Sequence, residues 1–181
     1  MSLLSFAQWI QSTDLFTAVR MSWYAYPVIL TLHLCGIALL GGMVLMSDLR
    51  LLGMAMRERP VSDVIGQLRV PKRIFLTLAV LCGILLAGAK AEEYYYNPFF
   101  WTKMSILALI AIHALVFRGS VFKKAAEFDR MKKLPGRVRF AAASSLFLWG
   151  CMVCAGRAIG YYDVPIDKLH AFFLRHAWGM G

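Results

Sequence analysis

Residues 28–42, VILTLHLCGIALLGG, contain no Asp, Glu, Lys or Arg, and carry one imidazole, that of His33, near the middle. Extended to Ser22 on one side and Met46 on the other, the stretch is long enough to cross about 30 Å of hydrocarbon as a helix. Three further stretches have the same character: residues 71–91 around IFLTLAVLCGILLAGA, residues 98–117, and residues 140–161. The third opens with NPFFW, where Asn97 is placed to cap and Pro98 suits a first helical turn. In lipid every backbone N–H and C=O must be satisfied within the protein. Four such stretches therefore predict an all-α integral membrane protein, a bundle of four transmembrane helices.

The whole chain agrees. Of its 181 residues, 60% are hydrophobic and 17% charged, with a mean hydropathy of +0.62; soluble domains average about 25% charged residues. The net charge of +10 would suit nucleic acid, but the basic residues are confined to particular loops, which fits anionic lipid headgroups instead. Arg50, Arg57, Arg59, Arg69, Lys72 and Arg73 lie between spans one and two. Arg118, Lys123, Lys124, Arg130, Lys132, Lys133, Arg137 and Arg139 lie between three and four, so 14 of the 20 basic residues fall on one side. The positive-inside rule makes that side cytoplasmic and leaves both termini and the AEEYYYNP turn outside. Trp9, Trp23, Tyr24, Tyr26, Tyr94 to Tyr96, Trp101, Tyr161 and Tyr162 then gather at the outer boundary as an aromatic belt.

No repeat, low-complexity tract or linker divides the chain, so residues 1–181 are expected to form one membrane domain. Residues 1–21 lack the basic start of a cleaved signal and read as an interfacial helix on the outer surface, with STD at 12–14 capping the helix that becomes span one. Residues 163–181 read as a second outer interfacial segment, with His170 and His176 too far out of helical phase to share a face. Lys72, Arg73, Lys90 and Lys103 are expected to snorkel to the interfaces. The loop KKAAEFDRMKKLPGR reads as a solvated, lipid-facing helix and turn. Cys35, Cys82, Cys151 and Cys154 fall inside spans and read as small apolar side chains; the CMVC spacing alone would put a costly thiolate in hydrocarbon.

The histidines carry the functional expectation. Measured from Trp23, His33 lies about 15 Å deep, and measured from Trp101, His113 lies about 18 Å deep. Two helices entering from the same side with imidazoles at one depth could offer both axial nitrogens to a haem b iron. Gly36, one turn after His33, would let a flat macrocycle approach or, with no cofactor, let two helices pack closely. Arg157, one turn inside the outer end of span four, calls for an anionic partner, which a haem propionate, a quinone oxygen, a lipid phosphate or Glu92 and Glu93 of the outer turn would supply. The structural alternative is that each imidazole bonds a neighbouring helix, with Thr31, Thr77, Thr102, Ser144 and Ser145 as available partners.

The runs STDLFTAVRMSWYAYPVILTLHLCGIALLGGMVLMSDLRLLG, YNPFFWTKMSILALIAIHALVFR and SSLFLWGCMVCAGRAIGYY resemble a family of small bacterial four-helix inner-membrane proteins of unknown function. The resemblance covers Ser12 to Tyr162 and rests on Tyr26–Pro27, HLCG at His33, DLRLLG from Asp48, Asn97–Pro98 and AGRAIGY with Arg157. The family often has an acidic residue before the histidine of span one and asparagine at the position of His113; this chain has VILT and histidine there. The resemblance implies the fold and the bacterial inner membrane, and it implies no activity.

Three readings follow. One is a haem b electron-transfer subunit, quinone-linked or serving a redox partner on the outer side, with His33 and His113 as metal ligands and Arg157 and Gly36 completing the site. The second is a cofactor-free membrane anchor or assembly subunit, homo- or hetero-oligomeric, its polar intramembrane residues joining helices. The third is a small transporter or channel protomer in which His33, His113 and Arg157 line a polar path.

Overall fold

The structure, a computed structural model, describes residues 2–121, 125–131 and 134–162. The expectations for residues 163–181, including His170 and His176, lie outside the described residues. Eight helices are present in them: α1 (Leu3–Ser12), α2 (Asp14–Met21), α3 (Ala25–Leu52), α4 (Val61–Ala89), α5 (Ala91–Tyr96), α6 (Pro98–Val121), α7 (Ala125–Phe128) and α8 (Gly136–Ile159). Helices α3, α4, α6 and α8 are each long and apolar enough to cross a membrane, and the protein is a helical membrane bundle.

The four spans follow one another in space as α4, α3, α8, α6: α3 packs on α4 and on α8, and α8 packs on α6. Helix α8 therefore stands between α3 and α6. At one end of the bundle, the basic end, lie the α3–α4 connection and α7. At the other, the aromatic end, lie α1, α2 and α5.

Two spans are longer than their hydrocarbon-crossing parts. Helix α3 continues past Met46 to Leu52 and stops at Gly53, whose φ of 73° is the left-handed conformation glycine adopts without a Cβ clash; the Met54 N–H then closes the helix on the Leu49 carbonyl at 2.9 Å. Helix α4 starts at Val61, well before Pro71, because Val61, Val64 and Ile65 are buried against the basic end and reward a helix there. Pro71 is carried within it at the cost of one backbone bond. Helix α6 begins as expected, with Asn97 Oδ1 accepting from the N–H groups of Phe99 at 3.0 Å and Phe100 at 3.3 Å.

Two expectations about connecting segments are corrected. Ser12–Asp14 is the break between α1 and α2, with Thr13 in an extended conformation and making no side-chain cap; span α3 starts later, after a turn at Ser22–Tyr24. The segment AAEFD is not simply solvated. Ala125 and Phe128 of α7 are buried with Leu51, Val61, Ile65, Val138, Ala141 and Ala142, and this apolar cluster closes the basic end of the bundle. Asp129 fixes α7 there by accepting from the backbone N–H groups of Val61 and Ser62 and from the Ser62 hydroxyl, which caps α4.

At the aromatic end, α1 turns its polar side inward. Gln8 donates to Glu92 Oε1 at 2.9 Å, and Gln11 Oε1 accepts from the Glu92 N–H at 3.0 Å, while Leu3, Phe6 and Trp9 are exposed. Phe16 of α2 lies so close to Gly88 that a Cβ there would come within 2.3 Å of its ring. Gln8 and Gln11, polar residues within a largely apolar helix, are thus what dock α1 on α5.

Candidate functional site

Helix rotation distributes the polar side chains over two levels. Near the basic end, Lys72 of α4 donates to Ser47 Oγ of α3 at 2.6 Å. The neighbouring Asp48 is buried, interacts with the Lys72 charge and is hydrogen-bonded by the Ser145 side chain of α8. The next residue back on α8, Ser144, faces α6 and meets His113 Nε2 at 2.9 Å. Successive residues of a helix point about 100° apart, which is how Ser144 and Ser145 serve opposite neighbours. Ser144 donates its own proton to backbone carbonyls of α8, at 2.9 Å for Phe140 and 3.1 Å for Ala141, so Nε2 of His113 is the donor in its bond. The His113 ring also packs on Phe117, centroids 4.7 Å apart.

The second level lies nearer the aromatic end. His33 Nδ1 bonds the Ala79 carbonyl of α4 at 2.8 Å, and its Cε1 lies 3.0 Å from where a Cβ on Gly83 would sit. Because a carbonyl only accepts, Nδ1 carries the proton. The Lys103 ammonium of α6 acts electrostatically on His33 and lies 3.8 Å from the Cβ position of Gly156 on α8. Lys103 thus turns into the bundle, contrary to the expectation that it snorkels away. Lys72, expected to do the same, instead bridges α4 to α3. Above this level a recess of about 410 Å³ opens at the aromatic end, lined by Tyr26, Lys90, Glu93, Tyr94, Asn97 and Tyr162. Burial, with the hydroxyl and charge of Tyr26 and Glu93 adding to it, pushes the Tyr94 phenol well above its ordinary range.

The structure does not bring His33 and His113 together. His33 is turned to α4 and His113 to α8, and α8 separates the helices that carry them. Their heights differ as well. The Lys103 ammonium, in electrostatic reach of His33, lies beside Gly156, whereas His113 lies beside Ser144. Ser144 to Gly156 is about 18 Å of helix rise. Two axial nitrogens on one metal, each about 2 Å from it, would be about 4 Å apart. A single haem held between these histidines does not fit, since Nε2 of His113 is a donor to Ser144 and the rings stand at different levels.

The other two expected site residues make contacts within the protein. Gly36 is buried against α4, its Cβ position 3.7 Å from Ala79, and serves the close approach of two helices. Arg157 is exposed: its Nη2 donates to the Tyr161 hydroxyl at 2.8 Å and its guanidinium lies 4.9 Å from that ring's centroid. Being next to Gly156, which faces α6, it points about 100° away and reaches the aromatic boundary along its own helix. Among the described residues no three His, Cys, Asp or Glu side chains converge on one point, and the four cysteines are free thiols. Asp48 and Ser47 were not singled out from sequence as site residues, and Ser145 was named only as an available partner for an imidazole. A signal was present: the apolar positions Leu49, Leu51 and Leu52 continue beyond Asp48 up to Gly53, which places the carboxylate inside a helix rather than in a loop.

These residues lie in a recognisable class, helical membrane proteins of four spans whose sequence matches a described family. Residues 11–162 match a family of unknown function (DUF6644), and the chain belongs to it. No curated protein and no solved structure matches the chain.

Proposed function

We propose that the protein is a cofactor-free membrane subunit, an anchor or assembly component of the bacterial inner membrane. Its basic end would face the cytoplasm, and its N-terminal helices and tyrosines would face outward. The single observation that carries this reading is the use made of the polar intramembrane groups. His33, His113, Lys72 and Asp48 each connect two different spans, so the ionisable residues act as interhelical ties. The basic end supports the orientation. There Arg50, Arg59, Arg130, Arg137 and Arg139 surround a folded apolar cap, a surface suited to an anionic leaflet or to a partner protein bound against it.

The protein purified in detergent from cells with ample haem tests the proposal. The expected result is a helical protein with no Soret band in a reduced-minus-oxidised spectrum, in which His33→Ala and His113→Ala lower thermal stability. Stoichiometric haem, lost on replacing either histidine, would overturn the reading in favour of the electron-transfer subunit. Ion flux in proteoliposomes abolished by the same substitutions would overturn it in favour of the transporter.

A further inference from the structure

Asp48 differs from the other buried polar side chains of the bundle. It is 8% exposed, and its Oδ2 is fully enclosed with no hydrogen-bond partner among the described residues. The groups facing it are few. Helix α4 supplies the Lys72 ammonium, which is engaged with Ser47 Oγ, and α8 supplies the Ser145 hydroxyl. Arg50, on the same helix as Asp48, turns away to the Arg59 carbonyl at 2.8 Å. His113 of α6 reaches this level only as far as Ser144, whose hydroxyl proton is committed to the α8 backbone. One turn beyond Asp48 the apolar cluster of Leu51, Val61, Ile65 and Phe128 closes the direct approach from the basic end.

An enclosed carboxylate oxygen with no donor aimed at it is far costlier than the same oxygen carrying a proton. We propose that Asp48 Oδ2 is a proton-binding site inside the membrane, loaded from the basic end through Lys72. Lys72 is partly exposed, so the side chain whose charge acts on the enclosed carboxyl also meets the surface of the bundle. In the loading step an N–H bond of the Lys72 ammonium breaks and an O–H bond forms at Asp48 Oδ2. The resulting neutral amine takes a replacement proton from water at the headgroups, so one proton enters and no electron is transferred. The site stores a proton and does not conduct one. On α6 the segment from Met104 to Ile112, between Lys103 and His113, has no titratable side chain to carry it onward.

Infrared spectra of the full chain in lipid nanodiscs test this directly. At neutral pH the wild type should show a protonated-carboxyl C=O band that shifts on transfer to D2O. The band should be lost in Asp48→Asn and retained, at altered frequency, in Asp48→Glu. In Lys72→Met it should persist while its H/D exchange slows. Circular dichroism establishes that each variant is folded, and if Asp48→Asn fails to fold, the frequency shift in Asp48→Glu makes the assignment. Carboxyl regions identical in the wild type and both Asp48 variants would overturn the site. Unchanged exchange in Lys72→Met would overturn the loading route.

Discussion

The two polar levels of the bundle are built from similar side chains in opposite ways. At the level near the basic end, ties run from side chain to side chain: Lys72 to Ser47, Ser145 to Asp48, His113 to Ser144. At the level near the aromatic end, His33 bonds a main-chain carbonyl and Lys103 lies along a glycine. The difference concerns what holds each imidazole. His113 depends on a hydroxyl that a single substitution removes. His33 depends on an acceptor that no substitution removes and on the absence of a side chain at Gly83.

The largest effect is expected where the aromatic end relies on empty space. Gly88→Leu would force a branched side chain into the Phe16 ring and should release α2 from α4, costing at least about 3 kcal/mol at the upper end of overpacking penalties. Unfolding in detergent, with proteolysis near Met21 as a reporter of α2, would measure it. His113→Ala comes next, at about 2 kcal/mol, combining an interhelical bond with lost packing on Phe117. Ser144→Ala should reproduce only the bond's share, about 0.6 kcal/mol. Gly83→Ala is expected to displace the His33 ring, since the new methyl would meet Cε1 at 3.0 Å, and should cost about 1 kcal/mol. No serine substitution should mimic it.

At the basic end, Asp129→Ala removes the cap of α4 and should cost about 1 kcal/mol. Burial alone would raise the Asp129 carboxyl's affinity for protons. The bonds from Ser62 and Val61, with the charge of Arg50, outweigh it and hold the group below its ordinary range. A lowered carboxylate contributes stability above the unfolded value of about 3.9 and loses it as pH falls through the folded value. The wild type should therefore lose stability on acidification below about pH 4 more steeply than Asp129→Asn, as thermal melts over that range would record. The smallest effect is expected from the partly exposed Lys90–Glu93 pair, 2.9 Å apart at the edge of the recess. Glu93→Gln should cost under about 0.5 kcal/mol, and less at high salt.

Much of this fold was legible from composition and punctuation. Uncharged runs located the spans, and Asn97–Pro98 set the start of α6, because both signals are local and act in any surroundings. Helix ends at the basic side were less legible. A helix does not stop where the hydrocarbon does, and Val61, Ile65 and Phe128 are buried by an end cap that only tertiary contact creates. The site was legible as a set of residue types and illegible as an arrangement. Depths reckoned from Trp23 and Trp101 assumed the two indoles stand level. Trp23 lies in the turn ahead of α3, whereas Trp101 is inside the first turn of α6 and bonds the Tyr95 carbonyl. Asp48 was missed for the same reason that α3 was read too short, and Lys72 was read as snorkelling because nothing local shows that Ser47 faces it.

The most direct test of the separation of the two histidines is a double-mutant cycle on His33→Ala and His113→Ala, read as unfolding free energy in one detergent. Residues at separate levels with separate partners should give effects that add to within about 0.5 kcal/mol. A second substitution that costs nothing once the first is made would mean that both histidines serve one shared ligand, and would contradict the two-level account.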